Sequence, residues 1–205
     1  MYMDDQAPVK AGSPTLGCGE EEPGRGSLLE RKLHEARTII AAGTVSMEMA
    51  YDIQARVLAM EKDDPDEPIT IFINSPGGHA DSGFAIYDLL RFVKPPIRTV
   101  VNGVCASAAV MIFLGGDEGQ RFTLPQSRFL IHQPSTMSQG SASDLEITAK
   151  QILKLRQRYN QIVAEASNRS EEQVLKDVDR DFWMDGAETV DYGLATKVIT
   201  RREDL

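Results

Sequence analysis

The stretch Ile69–His132 constrains this chain more than any other. A short apolar strand pattern, a turn of small residues and a helical pattern follow one another in it, and then recur. Ile69–Ile73 is a continuous apolar run rich in β-branched residues, the pattern of a strand covered on both faces, as in a parallel sheet. The turn after it, Asn74-Ser75-Pro76-Gly77-Gly78, must be sharp: Pro76 fixes one φ angle, and the glycine pair opens conformations closed to other residues. Phe84, Ile86, Leu89, Leu90 and Val93 then predict a helix that Pro95-Pro96 stops. Ile97–Val101 reads as the next buried strand. Asn102–Ala109 is nearly free of bulk and its first part, Asn102–Ser107, reads as a turn; Val110–Leu114 then makes a wholly apolar, buried helix closed by Gly115-Gly116. Arg121–Leu124 and Ser127–His132 read as short strands broken by Pro125.

This order places a serine and a histidine at the carboxyl ends of neighbouring strands, beside a Gly-Gly turn. In an open α/β fold that edge is where ligands bind. A hydroxyl, an imidazole and free backbone N–H groups are the parts that acyl transfer needs. Ser107 is expected in the first turn of the apolar helix, near its N–H groups and positive end. The same position suits a plain N-cap, and both roles can hold together. A Gly-x-Ser-x-Gly elbow is absent, since residues 105–109 read Cys-Ala-Ser-Ala-Ala. Pro76-Gly77-Gly78 is by itself a common loop sequence. His79, next to it, is a second imidazole close to the same edge. The carboxylate stays open on these grounds, among Asp177, Asp179, Asp181 and Asp185.

Residues 1–27 are polar, with scattered Gly and Pro and a Glu20-Glu21-Glu22 run; they follow neither period and are expected to form a flexible tail ahead of one domain over 28–205. Leu28–Ala42 begins as a charged helix and ends in a strand through Thr38-Ile39-Ile40, with His34 solvated on the helix face. Ser46 is an N-cap for a helix carrying Ala50, Ile53, Val57, Leu58 and Met60, which ends at Lys62-Asp63-Asp64-Pro65. Ser143–Ala166 is the longest helical pattern. Its stripe of Leu145, Ala149, Ile152, Leu153, Tyr159, Ile162 and Val163 is widened by Ile147, Leu155 and Ala164, which suits burial against another subunit as well as a monomer core. Ser170-x-x-Gln173 and Asp185-x-x-Glu188 read as capping boxes, the second helix closing at Gly193, and Lys197–Thr200 as a last strand.

Several function classes are disfavoured. A net charge of -9 opposes nucleic acid or an anionic membrane as the main partner. No apolar run reaches the roughly 18 residues of a membrane span, and the N-terminus lacks a secretory pattern. The chain has 2 Cys, Cys18 and Cys105, which form no framework and fit a reducing compartment. No Cys/His cluster has metal spacing, and no G-x-x-x-x-G-K-[ST] phosphate loop occurs.

The segments FINSPGGHADSGFAIYDLL, the Ser107 turn, RFTLPQSRFLIHQP, QGSASDLEI and DRDFWM occur in order. On these, residues from about Ile39 to Thr200 resemble the proteolytic subunit of the ATP-dependent Clp protease, the ClpP family (peptidase S14). The resemblance implies a crotonase-like α/β fold of repeated β-β-α units, with a handle helix protruding at about 143–166. It implies a Ser-His-Asp endopeptidase with Ser107 as nucleophile, His132 as base and Asp181 as third member. The oxyanion donors implied are the N–H groups of Gly78 and Ala108; His79 has no catalytic counterpart in the family's motif. Asp179 and Arg180 would form an oligomer sensor at the contact between rings. Heptameric rings would stack into a tetradecamer, fed with unfolded polypeptide by an AAA+ unfoldase such as ClpX, ClpA or ClpC. ATP would be used by that partner, with no cofactor and no metal in this chain. A bacterial cytoplasm is expected ahead of an organelle stroma or matrix. The sequence departs from the family in three places. The usual N-terminal segment is unrecognisable in Met1–Ser27, Thr70 and Phe72 stand where docking-pocket tyrosines are frequent, and Ala109 replaces a common glycine. Two other readings compete: a regulatory or weakly active paralogue needing a second isoform, and a crotonase-fold acyl-CoA enzyme, which needs no Ser-His pair.

Overall fold

Parallel pairing of the apolar runs builds the centre of the molecule. The computed structural model describes residues 25–205. Most of the expected tail, and Cys18 with it, lies outside the described residues. Helix α1 (Arg25–Glu35) opens inside the stretch expected as tail, and His34 on it meets the Asp63 carboxylate at 2.7 Å. Strand β1 (Thr38–Ala42) is followed by α2 (Met47–Asp63), with Ser46 capping as expected. Then come β2 (Ile69–Ser75), α3 (Ala80–Phe92), β3 (Ile97–Ala106), α4 (Ala108–Leu114), β4 (Arg121–Thr123) and β5 (Arg128–Ile131). Helices α5 (Ala142–Ser167) and α6 (Glu171–Asp177), strand β6 (Phe182–Asp185), helix α7 (Gly186–Tyr192) and strand β7 (Lys197–Val198) complete the chain.

The sheet runs β1-β2-β3-β4-β7, with β5 joining β3 and β6 joining β5; only the β5–β6 pair is antiparallel. Ile69, Ile71, Ile73, Ile97, Val100 and Val101 are fully buried between layers, as strands rich in β-branched apolar residues require. Each such side chain contributes roughly 1.5–3 kcal/mol on burial.

Strand β3 does not stop at Val101 as expected. Ile73 pairs with Val101 but Ser75 pairs with Cys105, so β3 carries extra residues opposite Asn74. At this bulge Gly103 adopts φ 139°, and a Cβ there would lie 2.5 Å from Asn74 Oδ1. Asn74 Oδ1 accepts from Val104 N–H (3.1 Å), and Ser127 Oγ donates to the Val101 carbonyl (2.8 Å). The bulge forks the sheet: β3 pairs with β4 before it and with β5 after it. The residues that read as a turn are thus strand up to Ala106, and Gly103 among them is held to glycine because the Asn74 side chain fills the space above it.

Helix α4 begins at Ala108, one residue after the serine expected in its first turn, and all its residues are buried. Strand β6 had no forecast. Ser170 caps α6, but Gln173 turns to Asp177 Oδ1 (2.7 Å), so that box is half formed; the Asp185–Glu188 box is complete and α7 ends at Gly193. The last strand is shorter than Lys197–Thr200. In α5 the buried residues are Tyr159, Asn160, Val163, Ala164 and Ser167, all in the C-terminal half. The N-terminal half stands clear, with Leu145, Ile147 and Leu153 exposed. This mixed α/β arrangement with its projecting helix is the handle-bearing fold expected.

Candidate active site

Strand register alone brings the expected residues together. The last parallel pair of β3 and β5 is Ala106 with Leu130, and Ser107 N–H donates to the Leu130 carbonyl at 2.9 Å. The last antiparallel pair of β5 and β6 is Ile131 with Phe182. One step beyond these pairs stand Ser107, His132 and Asp181. Ser107 Oγ lies 2.8 Å from His132 Nε2, and His132 Nδ1 lies 3.2 Å from Asp181 Oδ1. With Nδ1–H donating to the carboxylate, Nε2 is left to accept from the serine hydroxyl.

Ser107 occupies the N-cap place of α4 rather than its first turn. Its backbone sits at φ 56°, ψ −122°, sparsely populated for a residue with a Cβ, and its side chain makes no cap hydrogen bond. The strand-to-helix reversal therefore costs roughly 1–3 kcal/mol and frees the hydroxyl for His132. Gly77 makes the reversal possible. A Cβ on it would lie 2.5 Å from the Ala106 carbonyl oxygen and 2.7 Å from Ser107 Cβ, so the two turns touch at their backbones. Ser75 Oγ, fully buried, holds the glycine turn by accepting from Gly77 N–H (3.1 Å).

Gly78 bridges Val45, but the bonds belong to its neighbours: Val45 N–H donates to Gly77 O and His79 N–H to Val45 O. The Gly78 N–H faces away from that bridge. Ala108 opens α4, so its N–H has no carbonyl one turn back in the helix. Neither N–H has a partner among the described residues, and both residues line the cavity of about 260 Å³ that holds Ser107, His132, Pro134 and Tyr159. Tyr159 is 4 % exposed, and its hydroxyl is buried without a partner among the described residues. Burial pushes that phenol's pKa up, so it stays protonated.

The other candidates fall elsewhere. His79 caps α3, its Nδ1 2.8 Å from Ser82 Oγ and accepting from Ser82 N–H, so it is spent on structure. Asp177 accepts from the Tyr192 hydroxyl (2.8 Å), and Asp185 caps α7. Of the four aspartates left open, Asp181 is the one that reaches His132. Asp179 and Arg180 are exposed in the single protomer. Gln133 escaped notice: its N–H donates to the Val178 carbonyl (2.9 Å) and its Nε2 to the Asp179 carbonyl (3.1 Å). A glutamine after the histidine carries no chemical signal of its own; only the returning strand explains it. No group of three or more metal-ligating side chains exists among the described residues.

A hydroxyl, imidazole and carboxylate in line, with two idle N–H groups across a cavity, can carry out acyl transfer. A family model described as Clp protease matches residues 21–202. The chain is 42% identical over 177 residues to ATP-dependent Clp protease proteolytic subunit 2 of Treponema denticola, covering 86% of this chain and 88% of that one. It is 39% identical over 180 residues to proteolytic subunit 3 of Rhizobium etli, covering 88% and 92%. Among solved structures, a point mutant of ClpP1 from Listeria monocytogenes superposes with a TM-score of 0.79 at 41% identity, over 85% of this chain and 98% of that one. The chain belongs to the Clp protease family.

Proposed function

We propose that this chain is the serine endopeptidase subunit of a ring-forming, ATP-dependent protease. The observation that carries the reading is the Ser107–His132–Asp181 line, at 2.8 and 3.2 Å. His132 Nε2 takes the Ser107 proton as Oγ attacks the scissile carbonyl, and Asp181 stabilises the imidazolium that forms. The oxyanion is received by Gly78 and Ala108 N–H, a donor of this kind being worth roughly 3–4 kcal/mol. The imidazolium then gives its proton to the leaving amine, the C–N bond breaks, and water clears the acyl-enzyme by the reverse path.

Assembly is part of the same proposal. Leu145, Ile147 and Leu153 on the free half of α5 are 41–58% exposed, apolar surface that a second ring would cover. Heptameric rings stacked as a tetradecamer would enclose the active sites, and an AAA+ ATPase would unfold and feed substrates, using the ATP itself. No cofactor or metal is assigned to this chain. No helix among the described residues is long and apolar enough to cross a membrane, and a cytoplasmic site is proposed. The complete hydroxyl–imidazole–carboxylate line disfavours a subunit that relies on another isoform for its chemistry. The purified chain should cleave short peptides without nucleotide and folded proteins only with an ATPase and ATP. Rapid cleavage of a stable folded protein by the chain alone would contradict the chamber.

A further inference from the structure

Arg121 is a buried cation that forms no ion pair among the described residues. It sits on β4 and is 9% exposed. Its side chain makes no hydrogen bond either, and its Nε is enclosed without a partner among the described residues. The stem is fixed in place: a Cβ on Gly116 would lie 3.1 Å from Arg121 Cγ. Guanidinium is the side chain least able to escape this by losing its proton; burial pushes its pKa down, yet arginine stays charged in proteins. A charge in such a place is retained when something pairs with it.

The residue lines a solvent-open cavity of about 510 Å³ between α3, α4 and the C-terminal half of α5. The other cation on this cavity, Arg91, is already taken by Asp117 at 3.1 Å. Glu118 and Glu165 stand on its walls without an ion pair to Arg121, and Tyr87 and Asn168 complete the polar groups. The cavity thus presents one unclaimed planar fork, the geometry that binds a carboxylate through two parallel hydrogen bonds.

We propose that this cavity receives a carboxylate side chain from a second copy of the chain, and that filling it is a step of ring assembly. The inference rests on the ring-forming reading above. Charge complementarity selects the occupant: the chain carries 31 Asp and Glu against 22 Lys and Arg, so every copy offers surplus carboxylates. Position agrees with it, because the helix that walls the cavity is the one whose free half exposes its apolar face. The carboxylates on the walls disfavour a small, highly charged anion, whereas an incoming side chain is held by the surface around it.

The test compares wild type, R121M and R121K as full chains. Sedimentation velocity over a concentration series is read beside thermal melting and active-site serine labelling. R121M keeps the bulk and removes the charge. It should raise the concentration for half-assembly at least tenfold, with R121K in between, since an ammonium cannot reproduce the fork. R121M that assembles at wild-type concentrations, with an unchanged or raised melting temperature, overturns the proposal: the charge then had no partner to lose. Glu118→Gln matching the R121M defect also overturns it, by naming an internal partner. Inorganic phosphate or citrate raising the melting temperature of wild type but not of R121M, against chloride of equal ionic strength, would assign the cavity to a free anion instead. Should R121M not fold, R121K decides, and wild-type assembly of that variant overturns the idea. A wild-type chain that never assembles overturns both the ring reading and this one, while serine labelling on the same samples tests the peptidase reading separately.

Discussion

The side-chain amide of Gln133 donates from Nε2 to the carbonyl of Asp179 at 3.1 Å, bracing the backbone two residues ahead of Asp181. The amide is oriented from its other end, where Oε1 accepts from Arg156 Nη1 on α5 (3.3 Å). Asp181 needs such a brace, because its side chain is 64% exposed and meets His132 through one bond of 3.2 Å. Gln133→Leu removes both arms and keeps the backbone bond to Val178. Turnover should fall roughly 10- to 100-fold with little change in KM, because positioning is lost and binding is not. A variant with wild-type kcat would show that the β5–β6 pairing sets Asp181 unaided.

The two histidines should separate cleanly. His132→Ala removes the base and should cost roughly 10⁴-fold or more in peptide turnover. His79→Ala should keep most of the turnover and lose about 0.5–2 kcal/mol of stability, the usual worth of an N-cap. Peptide assays and denaturant melts on both variants check this. A larger loss of turnover from His79 would put the base in the wrong place.

Gly77→Ala tests the contact between the two turns. The residue has φ 91°, and the added methyl carbon would meet the Ala106 carbonyl at 2.5 Å, with backbone on both sides of the clash. The variant should melt earlier, the unfavourable φ alone costing roughly 1 kcal/mol or more, and should lose turnover as Ser107 is displaced. Wild-type melting together with wild-type turnover would mean that Gly77 does not set the Ser107 turn.

Much of this was legible in the residues, and the gaps have physical causes. Ile69–Ile73 and Ile97–Val101 announced buried parallel strands because they are dominated by β-branched apolar residues. The serine and histidine at strand ends followed from the same pattern. The rest of β3 was hidden because Gly103 breaks the strand pattern for a tertiary reason, the Asn74 side chain lying over it. Strand β6 escaped because Phe-Trp-Met-Asp spans only 4 residues and has no alternation to read. Asp181 could be chosen from its neighbours by resemblance but not by pattern, since what distinguishes it is the β5–β6 register. That same register is what gives Gln133 its partners.

Arg180→Ala bears on assembly. Asp179 and Arg180 are exposed in the protomer and adjoin Asp181 in the chain. An arginine fork pairing across a ring contact, as the resemblance implies for this pair, would leave a carboxylate unpaired when it is removed, at a cost of roughly 3–5 kcal/mol where burial is complete. Arg180→Ala should fall to single rings or smaller and lose peptidase activity together, with Ser107, His132 and Asp181 all present. Sedimentation and turnover on one sample decide it, and wild-type turnover from single rings would show that the triad is set within one subunit.

The central claim is that Ser107 is the activated nucleophile, and covalent labelling tests it most directly. The purified chain should react with a fluorophosphonate, and peptide mass analysis should place the adduct on Ser107. Ser107→Ala should take up no label, hydrolyse no peptide and melt like wild type. Undiminished labelling of the alanine variant, or an adduct on another serine, would contradict the account.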